Sequence, residues 1–268
     1  MRRTAPIGVF DSGLGGLTVF RALARRMPEE SLVYFGDTAH VPYGSKSPEA
    51  VTRYSVEIAR FLAAKGIKLL VVACNTSSAV ALPAIRRAVK VPVVGVIEPG
   101  ARAAMSATRG GRIGVIGTEA TMRSEAYPRA LKSLGARVKT VSEACPLFVP
   151  LVEEGWWEGA VTSAVARRYT APLRRARVDT LILGCTHYPY LKPVLARVMG
   201  AGVHLIDSAE ETALQTKSAL DRIGLRAPKG RRGRRDFYAS DAPERFRRLA
   251  RRMMGRAVPR VRLHTFDL

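Results

Sequence analysis

The fold is decided by two stretches, Val71-Val-Ala-Cys-Asn-Thr76 and Leu181-Ile-Leu-Gly-Cys-Thr-His187, whose cysteines lie 111 residues apart. Each is a short apolar run that ends in a cysteine and continues into small polar residues able to begin a helix. Two further stretches, Ile7-Gly-Val-Phe-Asp11 and Ile113-Gly-Val-Ile-Gly-Thr118, begin 106 residues apart. The similar offsets predict a duplicated α/β unit with one thiol at the same place in each copy.

Short apolar runs alternate with segments of helical periodicity along the chain, which is typical of βαβ units and parallel sheets. We therefore predict an α/β fold with parallel strands. Eight strands are expected: Ile7–Phe10, Leu32–Phe35, Ile67–Ala73, Pro92–Ile97, Arg112–Ile116, Arg137–Val141, Thr180–Gly184 and Val203–Ile206.

The repeat divides the chain into two similar parallel-sheet domains, related by pseudo-twofold symmetry, with the active site in the cleft between them. The first comprises residues 1–97 and recovers the C-terminal segment 208–268, and the second comprises residues 98–207. Ligands of open parallel sheets bind beyond the carboxyl ends of the strands. Predicted strand ends carry four polar or thiol residues, Asp11, Cys74, Thr118 and Cys185. By position alone, these four residues could form two separate sites or one site shared between the domains, and we expect the shared site.

The composition is that of a globular protein, with 268 residues, 47% hydrophobic and 25% charged. The longest apolar runs, such as Leu69–Cys74 and Val91–Ile97, are too short to cross a bilayer. The basic start of the chain has no secretory core behind it. Three cysteines form no dense disulfide framework. These features predict a cytoplasmic protein without membrane association.

The net charge of +22 is concentrated near the C-terminus, where residues 222–262 hold fifteen Lys/Arg and three Asp/Glu. In Pro243–Met254, apolar residues at helical spacing oppose a row of arginines, so we expect this helix to dock on the first domain. The outward arginines predict weak, non-specific polyanion binding as a side effect.

The two strand-end cysteines suit proton-transfer chemistry. Free backbone N–H groups at a helix start favour a thiolate and also bind a carboxylate ligand. Cys185 also has the imidazole of His187 two residues on. For either cysteine alone, a buried small hydrophobe at a strand end is the modestly favoured alternative. The repeat relation between the two favours function.

Other kinds of site have weaker signals. There is no Cys-x-x-Cys pair, so no metal is expected. The turn Asp11-Ser-Gly-Leu-Gly-Gly16 lacks the glycine spacing of nucleotide sites. From the residues alone, Asp11 is either a helix cap or a proton-handling partner, and His187 either a core histidine or a partner of the thiol.

Six motifs together resemble the glutamate racemases of the aspartate/glutamate racemase superfamily, nearly end to end. They are Ile7-Gly-Val-Phe-Asp-Ser-Gly-Leu-Gly-Gly16, Tyr34-Phe-Gly-Asp-Thr38, Pro42-Tyr-Gly44, Ala73-Cys-Asn-Thr76, Cys145-Pro-Leu-Phe-Val-Pro-Leu-Val-Glu-Glu-Gly155 and Gly184-Cys-Thr-His187. The resemblance implies a cofactor-independent isomerase that interconverts L- and D-glutamate and supplies D-glutamate for peptidoglycan synthesis, and thus for cell-wall biogenesis and cell shape. It implies neither cofactor nor metal, and we expect a homodimer.

The resemblance also assigns roles at matching positions. Cys74 and Cys185 resemble the two catalytic acid/bases, assisted by Asp11 and His187, with Glu153 nearby. The substrate-binding set that it implies is Asp11, Ser12, Tyr43, Gly44, Asn75, Thr76, Thr118, Thr186 and His187.

Two features of the chain stand apart from this assignment. Cys145 lies in a matching segment but away from the predicted strand ends, so we expect it to be buried and structural. His40 stands where the family more often has arginine, which alters the charge of the loop before Pro42-Tyr-Gly44 and removes no catalytic group.

Racemisation must remove a proton from one face of the α-carbon and return one to the other. Two opposed thiols achieve this without moving, whereas a single base would have to cross the substrate. Each thiol must approach the α-carbon at about 3–3.5 Å, so the two sulfurs should lie roughly 6–7 Å apart. The carboxylate of the carbanion needs preorganised N–H and hydroxyl donors.

On the sequence alone, three other functions stay open. The first is a racemase of aspartate or another acidic amino acid, which the cysteine pair does not distinguish from a glutamate enzyme. The second is a polyanion- or partner-binding role for the basic C-terminal region. The third is a thiol redox protein.

Overall fold

The structure is a computed structural model that describes residues 2–135, 137–255, 258 and 260–266. Within these residues the chain forms two sheets in which every strand pair is parallel. The strands are β1 (Ile7–Asp11), β2 (Leu32–Gly36), β3 (Leu69–Val72), β4 (Val93–Gly95), β5 (Arg112–Gly117), β6 (Lys139–Ala144), β7 (Thr180–Gly184), β8 (His204–Asp207), β9 (Arg235–Ala239) and β10 (Val261–Leu263).

Helices connect the strands, as parallel pairing requires. They are α1 (Leu17–Arg26), α2 (Pro48–Ala64), α3 (Asn75–Val80), α4 (Leu82–Ala88), α5 (Ile97–Ala107), α6 (Glu119–Arg123), α7 (Ala126–Ser133), α8 (Phe148–Glu153), α9 (Ala160–Arg175), α10 (Lys192–Met199), α11 (Ala209–Arg222) and α12 (Pro243–Met254). Two 3-10 turns lie at Tyr43–Ser45 and Tyr188–Leu191. No helix in the described part of the chain is both long enough and apolar enough to span a membrane.

The two sheets repeat one topology, which confirms the α/β fold with two parallel-sheet domains. The first domain has the order β10-β9-β2-β1-β3-β4, and the second has the order β6-β5-β7-β8. Strands β2-β1-β3-β4 therefore correspond one by one to β6-β5-β7-β8. Cys74 follows β3 and Cys185 follows β7, so the two thiols occupy equivalent positions.

All eight predicted strands are present, with boundaries that differ by a few residues. The largest shift is in β6, predicted at Arg137–Val141, because this partly exposed edge strand lacks a continuous apolar run. Strands β9 and β10 were not predicted. β9 begins with the charged pair Arg235 and Asp236 behind an arginine-rich loop, and only its pairing with β2 identifies it as a strand.

The C-terminal segment returns to the first domain, where it adds β9 and β10 to the sheet. The predicted docking of Pro243–Met254 is confirmed, because the Phe246 ring in α12 lies 6.0 Å from the Tyr34 ring in β2. At the opposite end of the sheet, the buried Lys68 and Glu30 form a 2.5 Å ion pair. Lys68 also donates to the carbonyl of Leu225, which fixes the path of the returning chain. The domain boundaries at 97/98 and 207/208 stay a prediction.

Candidate active site

The two domains meet at the carboxyl ends of equivalent strands. Asp11 ends β1, and its Oδ1 accepts a hydrogen bond of 3.2 Å from Thr186, which follows β7. Thr76, after β3, shares a 2.9 Å hydrogen bond with Thr118, after β5. The strand-end residues of both domains therefore surround one shared cleft.

Two glycines permit this close approach. A β-carbon on Gly15 would overlap the Thr186 hydroxyl and the His187 ring. A β-carbon on Gly44 would lie 2.6 Å from the Thr118 β-carbon, closer than real β-carbons approach other atoms. A side chain at either position would displace the facing side chains of the other domain.

Cys74 caps helix α3 from the end of β3. Its Sγ accepts from the Ser77 amide at 3.4 Å, and its thiol donates to Ser12 Oγ at 3.7 Å. Burial, reinforced by the nearby carboxyl of Asp11, raises the pKa of Cys74 to about 11, although the hydrogen bonds act in the opposite sense. Cys74 is therefore a thiol at neutral pH. We call Cys74, Ser12 and Ser77 the Cys74 cluster.

Cys185 has different neighbours, a histidine and a carboxylate. Its Sγ lies 3.8 Å from Nδ1 of His187, and Nε2 of the same ring lies 3.3 Å from Oε1 of Glu153. Glu153 ends helix α8 and lies 34 residues before His187 in the chain, so only the fold brings them together. We call Cys185, His187 and Glu153 the Cys185 cluster.

The imidazole of the Cys185 cluster is charged at neutral pH. Burial by itself lowers the pKa of His187, but the interactions with Cys185 and Glu153 outweigh it and raise that pKa from 6.5 to about 10. Burial likewise raises the pKa of Glu153, yet His187 and, more weakly, Arg245 hold it below its usual value of 4.5. A cation thus faces Cys185 with a carboxylate behind it.

Asp11 lies between the two clusters and is completely buried. Desolvation raises the pKa of this carboxyl above its usual 3.8, while the positive charge of His187 and hydrogen bonds from Gly16, Gly13 and Thr186 oppose the rise. Asp11 thus interacts electrostatically with Cys74 on one side and with His187 on the other.

Tyr43 is held by a carboxylate to which the sequence reasoning gave no role. Asp37, only 1% exposed, accepts from Tyr43 Oη at 2.5 Å and from Ser240 Oγ at 2.6 Å, and it lies 2.9 Å from His40 Nδ1. The His40 ring stacks on Tyr54 with centroids 4.0 Å apart. The His40 ring therefore lies between Asp37 and Tyr54, hydrogen-bonded to the first and stacked on the second. The sequence signal that could have identified Asp37 is its position just after the predicted strand Leu32–Phe35.

Two of the predicted substrate-binding residues, Gly44 and Thr118, line a pocket at this cleft. The side-chain amide of Asn75 is buried, and neither its nitrogen nor its oxygen has a hydrogen-bond partner among the described residues. Thr118 also bonds to Thr121 at 2.9 Å, a contact that the sequence did not suggest. A pocket of about 270 Å³ opens beside these groups. Its lining includes Val41, Pro42, Gly44, Ser45, Thr118, Glu119, Pro146, Val149, Pro150 and Glu153.

Cys145 is fully buried in the core of the second domain. Burial raises the pKa of its thiol, and the sulfur contacts only the Glu143 carbonyl, at 3.7 Å, among the hydrogen-bond partners that the structure describes. Residues 2–135, 137–255, 258 and 260–266 contain no group of three or more His, Cys, Asp or Glu side chains arranged to hold a metal.

Comparison with known proteins identifies the family. A family model described as Asp/Glu/Hydantoin racemase matches residues 7–216. The chain is 55% identical to a glutamate racemase of Geobacter metallireducens, over 93% of this chain and 92% of that protein. A crystal structure of the glutamate racemase isoform RacE1 from Bacillus anthracis superposes with a TM-score of 0.93 at 39% identity, covering 100% of this chain and 99% of that one.

A second structure carries a ligand. The glutamate racemase of Francisella tularensis in complex with D-glutamate superposes with a TM-score of 0.93 at 33% identity, over 99% of each chain. Family model, sequence relatives and solved structures agree over nearly the whole chain. The chain belongs to the Asp/Glu/hydantoin racemase family, and its close relatives there are glutamate racemases.

Proposed function

We propose that this protein interconverts L-glutamate and D-glutamate by moving protons between the substrate and two thiols. One observation carries the proposal: Cys74 and Cys185 follow equivalent strands of two sheets with the same topology, at one shared cleft. The glutamate racemases among the relatives and the D-glutamate bound to the Francisella tularensis enzyme support glutamate over aspartate as the substrate.

In the proposed reaction, the thiolate of one cysteine removes the α-proton. The C–H electron pair stays on the α-carbon and delocalises into the carboxylate. The thiol of the other cysteine then donates its proton to the opposite face, which inverts the centre. Each turnover exchanges the protonation states of Cys74 and Cys185, and exchange with water resets them. The balance needs no oxidant and no cofactor.

The Cys185 cluster is arranged to support this exchange. The charged imidazole of His187 stabilises a negative charge on Cys185, and Glu153 stabilises the imidazolium in turn. On the other side, burial keeps Cys74 protonated and ready to act as an acid. Asp11 interacts with both clusters, so a change of charge on either thiol alters its electrostatic surroundings.

The substrate's charged groups have matching donors and acceptors. The amide of Asn75, which has no described partner, and the hydroxyls of Thr76, Thr118 and Thr186 suit the α-carboxylate and the ammonium group. Ser12, Tyr43 and Gly44 line the approach to the same cleft. These assignments follow the motifs shared with the glutamate racemases.

We propose further that the protein acts in the cytoplasm as a homodimer and supplies D-glutamate for peptidoglycan. Three free cysteines suit a reducing compartment. The exposed Leu147, Trp156 and Val161 form an apolar surface suited to a second copy. The outward arginines of α12 support weak, salt-sensitive polyanion binding. Light scattering tests the dimer, and DNA binding measured against salt tests the polyanion role.

Circular dichroism of the purified protein with L-glutamate, and no added cofactor, tests the activity. The signal should decay to zero as the two enantiomers equalise, and it should do so again from D-glutamate. L-aspartate and other acidic amino acids are measured in parallel. No decay with glutamate, or a faster decay with aspartate, would overturn the proposed substrate.

A further inference from the structure

Helix α12 belongs to the first domain but contacts the second domain beside the Cys185 cluster. Arg252 Nη2 donates to the carbonyl of Gly155 at 3.4 Å, and its guanidinium carbon lies 5.2 Å from the centroid of the Trp157 ring. The next residue, Met253, accepts a 3.3 Å hydrogen bond from Tyr190 Oη. This end of the basic helix therefore bridges the two domains, whereas the sequence predicted that it docks on the first domain with its arginines pointing outward; for Arg252 that prediction is wrong, because its guanidinium packs on Trp157.

Trp157 and Tyr190, which contact α12, also pack against each other and form hydrogen bonds at the Cys185 cluster. Trp157 and Tyr190 pack with centroids 5.1 Å apart. Trp157 Nε1 donates at 2.9 Å to the carbonyl of Val152, the residue before Glu153. The Tyr190 amide donates at 3.1 Å to the carbonyl of His187. The Trp157–Tyr190 pair thus links α12 to the backbone of His187 and to the backbone just before Glu153.

A second arginine of α12, Arg245, lies near Glu153. Arg245 and Glu153 line one cavity of about 80 Å³, together with Gly13 and Thr38 of the first domain. The Glu153 side chain is 23% exposed, whereas that of His187 is only 4% exposed. Glu153 is therefore the outer, solvent-facing member of the Cys185 cluster, and Arg245 supplies positive charge where it is exposed.

We propose that Arg252 and Arg245 are positioning residues, which hold Glu153 from across the domain boundary and so fix the orientation and charge of the Cys185 cluster. Arg252 acts through packing, because its planar guanidinium covers Trp157 and Gly155. Arg245 acts through charge, because it adds to the larger effect of His187 in lowering the pKa of Glu153. The inference rests on the proposed racemase activity.

Neighbouring arginines on the same helix supply the control. Arg248 is exposed, like Arg245 and Arg252, but it lies outside the cavity that Glu153 lines. If the positive charge of α12 acted only as a solvated surface, Gln substitutions at all three positions would have equal effects.

The experiment compares Arg245→Gln, Arg245→Lys, Arg252→Gln, Arg252→Lys and Arg248→Gln with the parent enzyme. Rates are measured against pH from both enantiomers, and thermal unfolding is recorded for each variant. In Arg245→Gln the pKa of Glu153 rises, so activity should fall at a higher pH on acidification, by about one pH unit or less. Arg245→Lys keeps the charge and should restore the parent profile.

For Arg252→Gln we expect kcat to fall several-fold with KM nearly unchanged, because Asn75, Thr76 and Thr118 of the proposed substrate-binding set lie on other strand ends. Arg252→Lys should restore this loss poorly, since an ammonium group does not stack as a planar fork does. Arg248→Gln should match the parent enzyme in rate and in pH profile.

Two outcomes would overturn the inference. One is a set of Gln variants whose pH profiles and kcat values equal those of Arg248→Gln. The other is a loss of kcat that follows thermal stability in every variant while the acid limb stays in place, because the arginines would then be structural only. Absence of glutamate racemisation by the parent enzyme would instead refute the proposed function, so the two failures are distinguishable.

Discussion

The Cys74 cluster and the Cys185 cluster occupy equivalent positions in the two sheets and have opposite electrostatic surroundings. Cys74 lies beside hydroxyl and amide groups and the buried Asp11, and its pKa is raised to about 11. Cys185 lies 3.8 Å from an imidazole that is charged at neutral pH. The comparison teaches that a duplicated fold supplies two thiols with the same backbone placement, while non-equivalent neighbours put a carboxyl beside Cys74 and an imidazolium beside Cys185.

The largest effect is expected from removing either thiol. Cys74→Ser and Cys185→Ser should each reduce racemisation on the order of 10³-fold, because a hydroxyl is a poor acid and base at neutral pH. Initial rates from both enantiomers measure this. Cys145→Ser is the matched control and should keep most activity, since Cys145 is buried away from the cleft. An equally inactive Cys145→Ser variant would contradict the assignment.

Deuterium labelling tests whether each thiol serves one face. In deuterated water, early product from either enantiomer should carry solvent deuterium at the α-carbon, while residual substrate stays mostly unlabelled. The reason is that the removed proton and the added proton occupy different sulfurs. Product that retains the original α-proton would show that a single base acts on both faces.

Removal of the imidazole should affect the Cys185 cluster most. His187→Gln should lower kcat roughly 10²-fold, because Cys185 loses the adjacent cation while Cys74 keeps its hydrogen bonds to Ser12 and Ser77. The matched variant on the other side is Ser12→Ala, which removes one weak hydrogen bond and should cost far less. Equal losses from the two variants would mean that the clusters are electrostatically alike.

Alkylation distinguishes the two thiols directly. At pH 8, Cys74 holds little thiolate because its pKa is raised to about 11. Iodoacetamide should therefore label Cys74 slowly, and the imidazolium beside Cys185 should make Cys185 the faster of the two thiols to react. Peptide mass spectrometry over time measures both rates in one sample. Faster labelling of Cys74 would reverse the comparison.

The pH dependence of the free energy of unfolding distinguishes the two clusters by a smaller effect. The pKa of His187 is about 10 in the folded protein against 6.5 as a reference, so the folded state holds more protons between these values. Its stabilising contribution is complete below pH 6.5 and is lost as the pH rises to about 10. Because the pKa of Cys74 is raised from 9.0 to about 11, the folded state also loses stability relative to the unfolded chain as the pH rises through this range.

Urea unfolding at several pH values measures both windows. His187→Gln should flatten the loss of stability between pH 7 and pH 9, whereas Cys74→Ser should leave this range unchanged. A Cys74→Ser variant that flattened the same range would show that the two groups titrate as one unit.

The smallest effect is expected at His40. His40→Arg keeps a hydrogen-bond donor beside Asp37, so activity at neutral pH should change by about twofold or less, as for most partly exposed substitutions. His40→Gln removes the ring that stacks on Tyr54 and bonds to Asp37, and it should weaken the position of Tyr43 through Asp37. KM for each enantiomer measures the effect, and a larger loss in His40→Arg than in His40→Gln would contradict it.

The sequence by itself determined the repeat, the parallel-sheet fold and the residues that line the cleft. These depend on local patterns, namely apolar runs of strand length and polar residues just after them, which place side chains at the carboxyl edge of a sheet. Shared motifs supplied the roles of Asp11 and His187, for which the residues alone left alternatives open.

Only the tertiary structure decided how these residues pair and what charge they carry. Glu153 meets His187 across 34 residues of chain, Asp37 meets Ser240 across 203, and α12 reaches the second domain through Arg252 and Met253. Such contacts leave no local pattern, because they depend on the packing of distant segments. Folding likewise sets the pKa of Cys74 through burial and that of His187 through Cys185 and Glu153, since desolvation and neighbouring charges exist only after folding.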